Sequence, residues 1–519
     1  MSVIVQQKRI VIVADYDADG ATACALAVRG LKMMGARDVQ FIVPDRFAHG
    51  YGLSPEIVEL AAELKPHLLV TVDNGISSVE GVALARSLAI EVLITDHHLP
   101  GPMLPEATVI VNPNLAGDGF PSKSLAGVGV MFYVLAALRA AFREAGWFEA
   151  QDLQEPNLAH LLDLVALGTV ADVVPLDLNN RILVAQGLER IRKGQCAAGI
   201  SALLTVARRL PEHVSASDLG FAVGPRLNAA GRLTDMRLGI ECLICDEQRK
   251  ALAMATQLDQ LNQQRREIQA EMESEALRAL DMMDLHARES LPYGMCLYQE
   301  NWHQGVIGIL ASKIKEKTHR PVIAFAKDSD ALLKGSARSI PGIHIRDAIE
   351  AIATANPGLV SKYGGHAMAA GLSLRGDCFE KFCDLFDKEI ERHVQVSGFD
   401  SELISDGQLT SEEFTIELAE QIGQGGPWGQ GFPEPQFDGK FKILTARIVG
   451  SKHLKLQLCL DEENNAIDAI AFNTTDESWP ADYNEVHAVF HLQINDYRGR
   501  RTPQLVVAHI EPLATASAN

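Results

Sequence analysis

The sequence predicts an α/β protein in three parts: a parallel-sheet domain, a second α/β domain reached through a long connector helix, and a C-terminal five-stranded β-barrel of the OB type. Three observations predict it. Through residue 115, short apolar β-rich runs alternate with helical stretches. Beyond a long polar helical stretch, a second alternating segment begins whose punctuation is rich in glycine. From Phe437 to Pro512 the pattern is nearly all β.

The first runs are Arg9–Ala14, Val39–Val43, His67–Val72, Ile90–Thr95 and Thr108–Val111. Between them lie the helical stretches Ala21–Met34, Ser54–Leu64 and Ser78–Leu88. Strands alternating with helices of this length imply a parallel sheet with right-handed crossovers, and ligands then bind beyond the carboxyl ends of the strands. Gly127 to Cys245 is mainly helical, which closes a first domain over 1–245. A polar helix follows over 246–285, with Leu258, Leu261, Ile268, Met272 and Leu277 on one face. The second α/β domain covers 286–396, punctuated by Gly305, Gly308, Gly335, Gly364, Gly365 and Gly371. Gly423 to Pro435 is dense in Gly and Pro and reads as a loop. The last domain, 397–519, carries the runs Lys440–Val449, Leu454–Leu460, Ala466–Phe472, Val486–Asn495 and Gln504–Ile510.

A length of 519 residues is consistent with about three domains. No apolar run approaches the ~20 residues that span a bilayer, and Met1 to Ile10 has no secretory-leader pattern, so the expected place is the cytoplasm. Eight cysteines in such a chain make no disulfide framework, and Cys242 and Cys245 form a CxxC without a second pair at zinc spacing. That pair reads as two reduced thiols on a helix. The net charge of −20 argues against coating nucleic acid by bulk attraction. A path for DNA would have to be a local basic strip.

The strongest chemical signal is a set of acids and histidines at successive strand ends. Strand one ends in Asp15-Tyr16-Asp17-Ala18-Asp19-Gly20, strand three in Asp73-Asn74-Gly75, strand four in Asp96-His97-His98. Asp172 follows an apolar helix. If the first motif continues the extended chain, alternate residues share a side and its three carboxylates converge. A single Asp after a strand is often only a turn former or helix cap. A blander account has to cover all four clusters at one edge of one sheet. Carboxylates with imidazole suit Mn²⁺ or Mg²⁺, and two such ions serve in-line phosphoryl displacement.

These four motifs, in this order and at these strand ends, resemble the DHH phosphoesterase superfamily. The resemblance implies Asp15, Asp17, Asp19, Asp73, His97 and Asp172 as metal ligands; which carboxylate bridges the ions stays open, with Asp73 the first candidate. It implies His98 as a ligand or a contact to the scissile phosphate, and it places Asp73, His97, His98 and Asp172 at the reaction.

Three further segments narrow the resemblance to the RecJ-type exonucleases of that superfamily. The first is Gly224-Pro225-Arg226-Leu227-Asn228-Ala229-Ala230-Gly231-Arg232-Leu233, read as a glycine-rich turn. Guanidinium forks match phosphate oxygens, and the blander reading is a solvated surface turn. The resemblance points to Arg226 for a 5′-phosphate, with Asn228 and Arg232 beside it. The second spans Asn301-Trp302-His303-Gln304-Gly305, Gly335-Ser336-Ala337-Arg338 and Gly364-Gly365-His366. It is similar to the DHHA1 domain, which implies contacts from His303, Ser336, Arg338 and His366. The glycines equally suit tight packing. The third is the barrel, with Lys440, Lys442, Arg447, Lys452, His453 and Lys455, then Tyr497, Arg498, Gly499, Arg500 and Arg501. Basic residues around an aromatic suit one strand of DNA, and Lys452, Tyr497, Arg498 and Arg500 are the candidates. The segment Gly426-Pro427-Trp428-Gly429-Gln430-Gly431-Phe432-Pro433 is also similar to this family.

The resemblance covers nearly the whole chain. It implies a 5′-to-3′ exonuclease on single-stranded DNA, releasing nucleoside 5′-monophosphates in recombination and repair, with two Mn²⁺ or Mg²⁺ ions. The strand would run in a groove between the first two domains. Single-strand binding protein and other repair factors are implied as partners, and the chain as a monomer. In one respect the sequence departs from the family. Its members usually carry more residues before the first acidic motif, whereas here Asp15 stands near the start. Two other readings are distinguishable. Phosphoesterases of short oligonucleotides or cyclic dinucleotides resemble the first two domains and usually lack a barrel. Non-catalytic strand-binding relatives tend to lose metal ligands, all of which are present here.

Overall fold

The computed structural model describes residues 1–46, 49, 51–281, 291–329, 331–397, 403–450, 453–460, 466–472, 474, 484–497 and 500–513. Backbone contacts divide the chain into two compact units. One holds Met1–Pro225, Ile240–Leu252 and Glu402–Asn519; the other holds Arg226–Gly239 and Ala253–Ser401.

In the first unit, β1 (Ile10–Ala14), β2 (Val39–Ile42), β3 (Leu68–Val72), β4 (Glu91–Thr95) and β5 (Val109–Val111) form one sheet in the order β2-β1-β3-β4-β5. Every pairing is parallel. All five residues of β1 are buried, which is why it reads as an unbroken apolar run. The strand order reverses between β1 and β3, and Asp15 and Asp73 follow those two strands. That is where an open α/β sheet leaves a crevice for ligand.

The first long helix, Ala18–Met33, starts at Asp17, whose carboxylate accepts the Gly20 N–H at 3.0 Å. Asp17 keeps extended dihedrals as the cap, but Asp19 is in the first turn of the helix and not on an extended continuation of β1. The strand stops at Ala14, and the three acids are gathered by the turn into a helix. Helices Gly127–Glu144 and Leu162–Ala171 pack against this long helix. Asp172 caps the second of them. Cys242 lies within helix Arg237–Ile244 and Cys245 just past its end, and all eight cysteines are free thiols.

Gly224–Leu233 is a helix, not the turn expected from its glycines. It continues a π-helical turn, Leu219–Val223, so Gly224 and Gly231 sit in regular backbone. The helix before the Gly/Pro-rich loop, Ile416–Gly425, runs into the expected loop region and ends there.

In the second unit, β6 (Met295–Tyr298), β7 (Val322–Lys327), β8 (Leu332–Arg338), β9 (Val360–Gly365) and β10 (Ala369–Arg375) form a mixed sheet, β6-β7-β8-β10-β9. Only β6 and β7 are parallel. Phe325, Phe382 and Phe386 fill its core. The connector is one 34-residue helix, Gln248–Asp281, with Leu258 and Met272 buried.

The barrel belongs to the first unit. Its strands are β11 (Phe437–Val449), β12 (His453–Cys459), β13 (Ile467–Phe472), β14 (Glu485–Tyr497) and β15 (Arg500–Pro512). They close in the order β11-β12-β13-β15-β14 around Phe441, Leu456, Phe490 and Leu505. The pairing of β13 with β15 is parallel and the rest antiparallel. This is the expected OB-type barrel.

Candidate metal centre

Four turns bring the acids and histidines of the first unit together. Ligand atoms of Asp15, Asp17 and Asp73 lie within 4.8 Å of one another. So do those of Asp73, His97 and His98, and those of Asp19, His97 and Asp172. Every residue assigned to the metals from the sequence is in one of these groups.

The backbone is shaped for this convergence. Asp73 has φ 63°, a left-handed conformation that Asp tolerates better than most residues, and its N–H donates to the Thr95 carbonyl. Asn74 ties strands together by donating to the Val13 and Val72 carbonyls. Gly127, the first residue of its helix, leaves the space Asp73 occupies: a Cβ there would lie 2.5 Å from the Asp73 Cβ. Its N–H and that of Val128 donate to Asp19, at 2.5 and 2.9 Å. A helix N-terminus thus steadies a buried carboxylate.

The donor set fits hard divalent cations. Asp15 Oδ1, Asp73 Oδ1 and Asp172 Oδ2 are buried oxygens that accept no hydrogen bond. His97 Nε2 stands 3.0 Å from Asp73 Oδ1 and 3.5 Å from Asp172 Oδ2. Without cations this grouping is unfavourable. Burial, then the neighbouring Asp17 charge, raises the Asp15 carboxyl well above its usual range. Burial, then Asp172, does the same to Asp19; burial, then Asp19, to Asp73. Burial and Asp17 push Asp172 up to about 7. Carboxylates so destabilised, with lone pairs aimed at one another, are what oxygen-ligated cations resolve.

His98 is held differently. Its Nδ1 donates to Asp96 Oδ1 at 2.7 Å, and Asp96 also accepts N–H groups from Ile76, His97 and His98. Burial opposes a charged ring, but the Asp96 hydrogen bond and charge prevail and raise His98 to about 9. Asp96 itself is pushed up by burial, yet the His98 contact holds it below the usual range.

Four supporting residues escaped the sequence reading. Tyr51 donates its hydroxyl to the Asp73 carbonyl at 3.1 Å and lies 3.3 Å from His98 Nδ1. Arg46 stacks over the Tyr16 ring at 4.6 Å, placing a cation beside the first motif. Asn112 and Asn114 hold the His98 and His97 carbonyls, at 2.8 and 2.6 Å. The two Asn residues follow β5 at the same sheet edge, a signal that was available. Tyr51 and Arg46 lie in no recognisable spacing.

The second unit gathers other candidates. Arg226 Nε and Nη2 each lie 2.8 Å from Asp259 Oδ1. Asn228 is on the same helix. Arg232 donates to the Gly305 carbonyl, and the Gly305 N–H donates to His303 Nδ1. Arg338 donates to Ser336 Oγ at 3.2 Å, and a Cβ on Gly308 would meet both side chains at 2.9 Å. Arg232, His303, Ser336 and Arg338 thus surround the segment entering helix Ile307–Thr318. His366 follows β9, its N–H bonded to Ala369. On the barrel, Arg500 is exposed at the start of β15, Lys452 and Arg498 lie outside the described residues, and so does the Tyr497 side chain.

Comparison with known proteins matches residues 9–169 to the model described as "DHH family, N-terminal domain", 292–392 to the DHHA1 domain and 405–509 to the RecJ OB domain. A RecJ single-stranded-DNA-specific exonuclease from Dickeya dadantii is 54% identical over 511 residues, covering 98% of this chain and 88% of that one. The chain belongs to the RecJ family. RecJ of Escherichia coli is 52% identical, covering 97% of this chain and 88% of its own length. The crystal structure of Thermus thermophilus RecJ in complex with Mn²⁺ superposes with a TM-score of 0.81 at 29% identity, covering 99% of this chain and 70% of that one. The Mg²⁺ complex of that RecJ gives 0.72.

Proposed function

We propose that this chain is a metal-dependent exonuclease that removes nucleoside 5′-monophosphates from the 5′ end of single-stranded DNA, in recombination and repair. The observation that carries the reading is the convergence of Asp15 Oδ1, Asp73 Oδ1 and Asp172 Oδ2 as buried acceptors without hydrogen bonds. Asp15, Asp17, Asp19, Asp73, His97 and Asp172 are the residues that would hold two Mn²⁺ or Mg²⁺ ions, and Asp73 faces three of the other ligands. When bound, such ions lower the pKa of a water and neutralise charge on the phosphoryl oxygens.

The protein's own groups do the remaining work. Asp96 orients His98 through its Nδ1 hydrogen bond, and His98 would contact the scissile phosphate, where a hydrogen-bond donor offsets developing negative charge. Arg226, held by Asp259, recognises the terminal 5′-phosphate, with Asn228 and Arg232 near it. His303, Ser336, Arg338 and His366 bind the backbone of the strand, and Lys452, Tyr497, Arg498 and Arg500 guide it across the barrel. The DHH domain is assigned to 1–245, the connector to 246–285, the DHHA1 domain to 286–396 and the OB domain to 397–519. Single-strand binding protein is the partner this reading includes, with the chain acting as a monomer. Free thiols throughout fit the reducing cytoplasm, and among the described residues no helix is long and apolar enough to cross a membrane.

The test is nucleotide release from a 5′-labelled single strand, a 3′-labelled single strand and a blunt duplex, in Mn²⁺ and in EDTA. Immediate Mn²⁺-dependent release of labelled mononucleotide from the 5′-labelled single strand is the expected result. Cleavage of a dinucleotide or cyclic dinucleotide with no release from strands would overturn it.

A further inference from the structure

A cavity of about 560 Å³ in the first unit is lined by residues on both sides of the metal-site acid Asp172, Val170 before it and Val173 after it. Phe221 and Trp428 line it too. Val173 is 64% exposed and Phe221 79%. Large apolar side chains presented to solvent together, beside a reactive centre, point to a ligand.

The backbone is arranged to present them. Val173 has φ 63°, a left-handed conformation that a β-branched residue rarely adopts. Phe221 stands on the π-helical turn Leu219–Val223, an irregularity that interrupts ordinary helix geometry. Trp428 forms a fixed wall. Its Nε1 donates to the Ile422 carbonyl at 3.0 Å, and its ring stacks on Phe432 at 4.9 Å with 14° between planes. Arg181 lies over the Phe432 ring at 3.6 Å.

The remaining lining defines the chemistry of the occupant. Ser217, Gln430, Gln436, His491 and the half-buried Glu434 supply polar groups, and no Lys or Arg is among the described lining residues. The imidazole in the lining, His491, is held at the Pro435 carbonyl and faces the Glu434 carboxylate, so a phosphate or an acidic peptide finds no unshared counter-charge there. A flat, uncharged ring with amino and carbonyl groups on its edge finds apolar faces and hydrogen-bonding partners. That is a nucleobase.

We propose that this cavity receives a base of the strand being cut, stacked on Phe221, from a nucleotide flanking the scissile phosphate. The proposal rests on the exonuclease reading above and deepens it. Asp172 and Val173 are consecutive, so one short segment would both hold a cation and seat the adjoining base.

The test steps a single abasic, tetrahydrofuran-type nucleotide along the first positions of a 5′-phosphorylated strand and measures KM and kcat in Mn²⁺. With wild-type protein we expect one position to raise KM about tenfold, the size of one lost stacking contact. In Phe221→Ala the natural strand should show that same rise, and the abasic penalty at that position should vanish. Because Phe221 is so exposed, the variant should keep the wild-type thermal midpoint. The substrate series needs no variant and stands if the variant misfolds. Efficient cleavage with a flat abasic scan, or with an undiminished penalty in Phe221→Ala, overturns the base site and leaves the exonuclease reading intact. A flat scan with an acidic peptide bound by wild type and lost in Phe221→Ala would reassign the cavity to a protein partner. No nucleotide release from any strand by wild type would overturn both.

Discussion

Asp96 Oδ1 accepts the His98 Nδ1 hydrogen at 2.7 Å, and this single contact couples the acid of the fourth strand end to the outer edge of the metal centre. Asp96 lies in none of the three ligand groups; its oxygens are used up by His98 and three backbone N–H groups. In the metal-free protein, replacing Asp96 by Asn should let the His98 titration midpoint fall from about 9 toward its ordinary value of 6.5. Nucleotide release should fall about 10- to 100-fold, as when other oriented imidazoles lose their carboxylate. NMR titration of the ring nitrogens and a rate assay check both. An unmoved midpoint would show that Asp96 does not set the charge of His98.

The pH dependence of stability follows from the same groups. In the folded chain without metal, Asp172 is raised from 3.8 to about 7 and His98 from 6.5 to about 9. The folded state therefore holds more protons than the unfolded state across this range. The His98 contribution is complete below 6.5 and is lost as pH rises through about 9; the Asp172 contribution fades between 3.8 and about 7. In EDTA the thermal midpoint should fall as pH rises from 6 to 9. Mn²⁺ requires deprotonated carboxylates, so the stabilisation it adds should grow with pH up to about 7. A midpoint in EDTA that rises over this window would contradict the assigned shifts.

The succession of strands along the chain and the acids at their ends were legible because both depend on local pattern. The apolar run Ile10–Ala14 can only be a strand buried on both faces, and an acid directly after it must stand at the sheet edge. The path of the chain beyond the strand was less legible. Asp15 and Asp17 come together with Asp73, while Asp19 joins His97 and Asp172, and the chain gets there through a helix cap and first turn rather than by strand alternation. Gly224–Leu233 looked like a turn because glycine and proline break isolated helices. Here the helix is carried by buried Leu227, Ala229 and Ala230, a tertiary contribution that propensity does not include. Tyr51 reaches the Asp73 carbonyl from a loop of the chain, and such a contact has no period to read.

Arg226 offers a direct test of end recognition. Asp259 engages two nitrogens of its guanidinium from the connector helix, which fixes the plane of the fork. Discrimination between a 5′-phosphate and a 5′-hydroxyl should fall about 10- to 100-fold in Arg226→Ala, the worth of a charge-assisted hydrogen bond. Arg226→Lys should recover little, because lysine keeps the charge without the fork. Asp259→Asn should lose part of the discrimination by loosening the guanidinium plane. Competition between phosphorylated and unphosphorylated strands measures each. Unchanged discrimination in Arg226→Ala would move the end-binding role elsewhere.

Gly127 tests whether the cluster depends on the close approach of a helix. Replacing a helical glycine by alanine ordinarily stabilises a protein by about 0.5–1 kcal/mol. At Gly127 the new Cβ would lie 2.5 Å from the Asp73 Cβ and 2.7 Å from Oδ1. Asp73 has little room to retreat, with its N–H bonded to Thr95 and its carbonyl to Tyr51. The helix has little room either, because the Gly127 and Val128 N–H groups hold Asp19. Relief of the clash must therefore disturb Asp73 or Asp19, and both are ligands in the proposed centre. We expect Gly127→Ala to weaken Mn²⁺ binding about tenfold or more, by analogy with the cost of misplacing groups that support a metal ligand. Gly129→Ala, two residues on, is the control: its Cβ meets only the end of the Leu125 side chain, at 3.0 Å. Calorimetric titration with Mn²⁺ separates the two. Wild-type affinity in Gly127→Ala would mean that the helix start and the carboxylates are not mechanically linked.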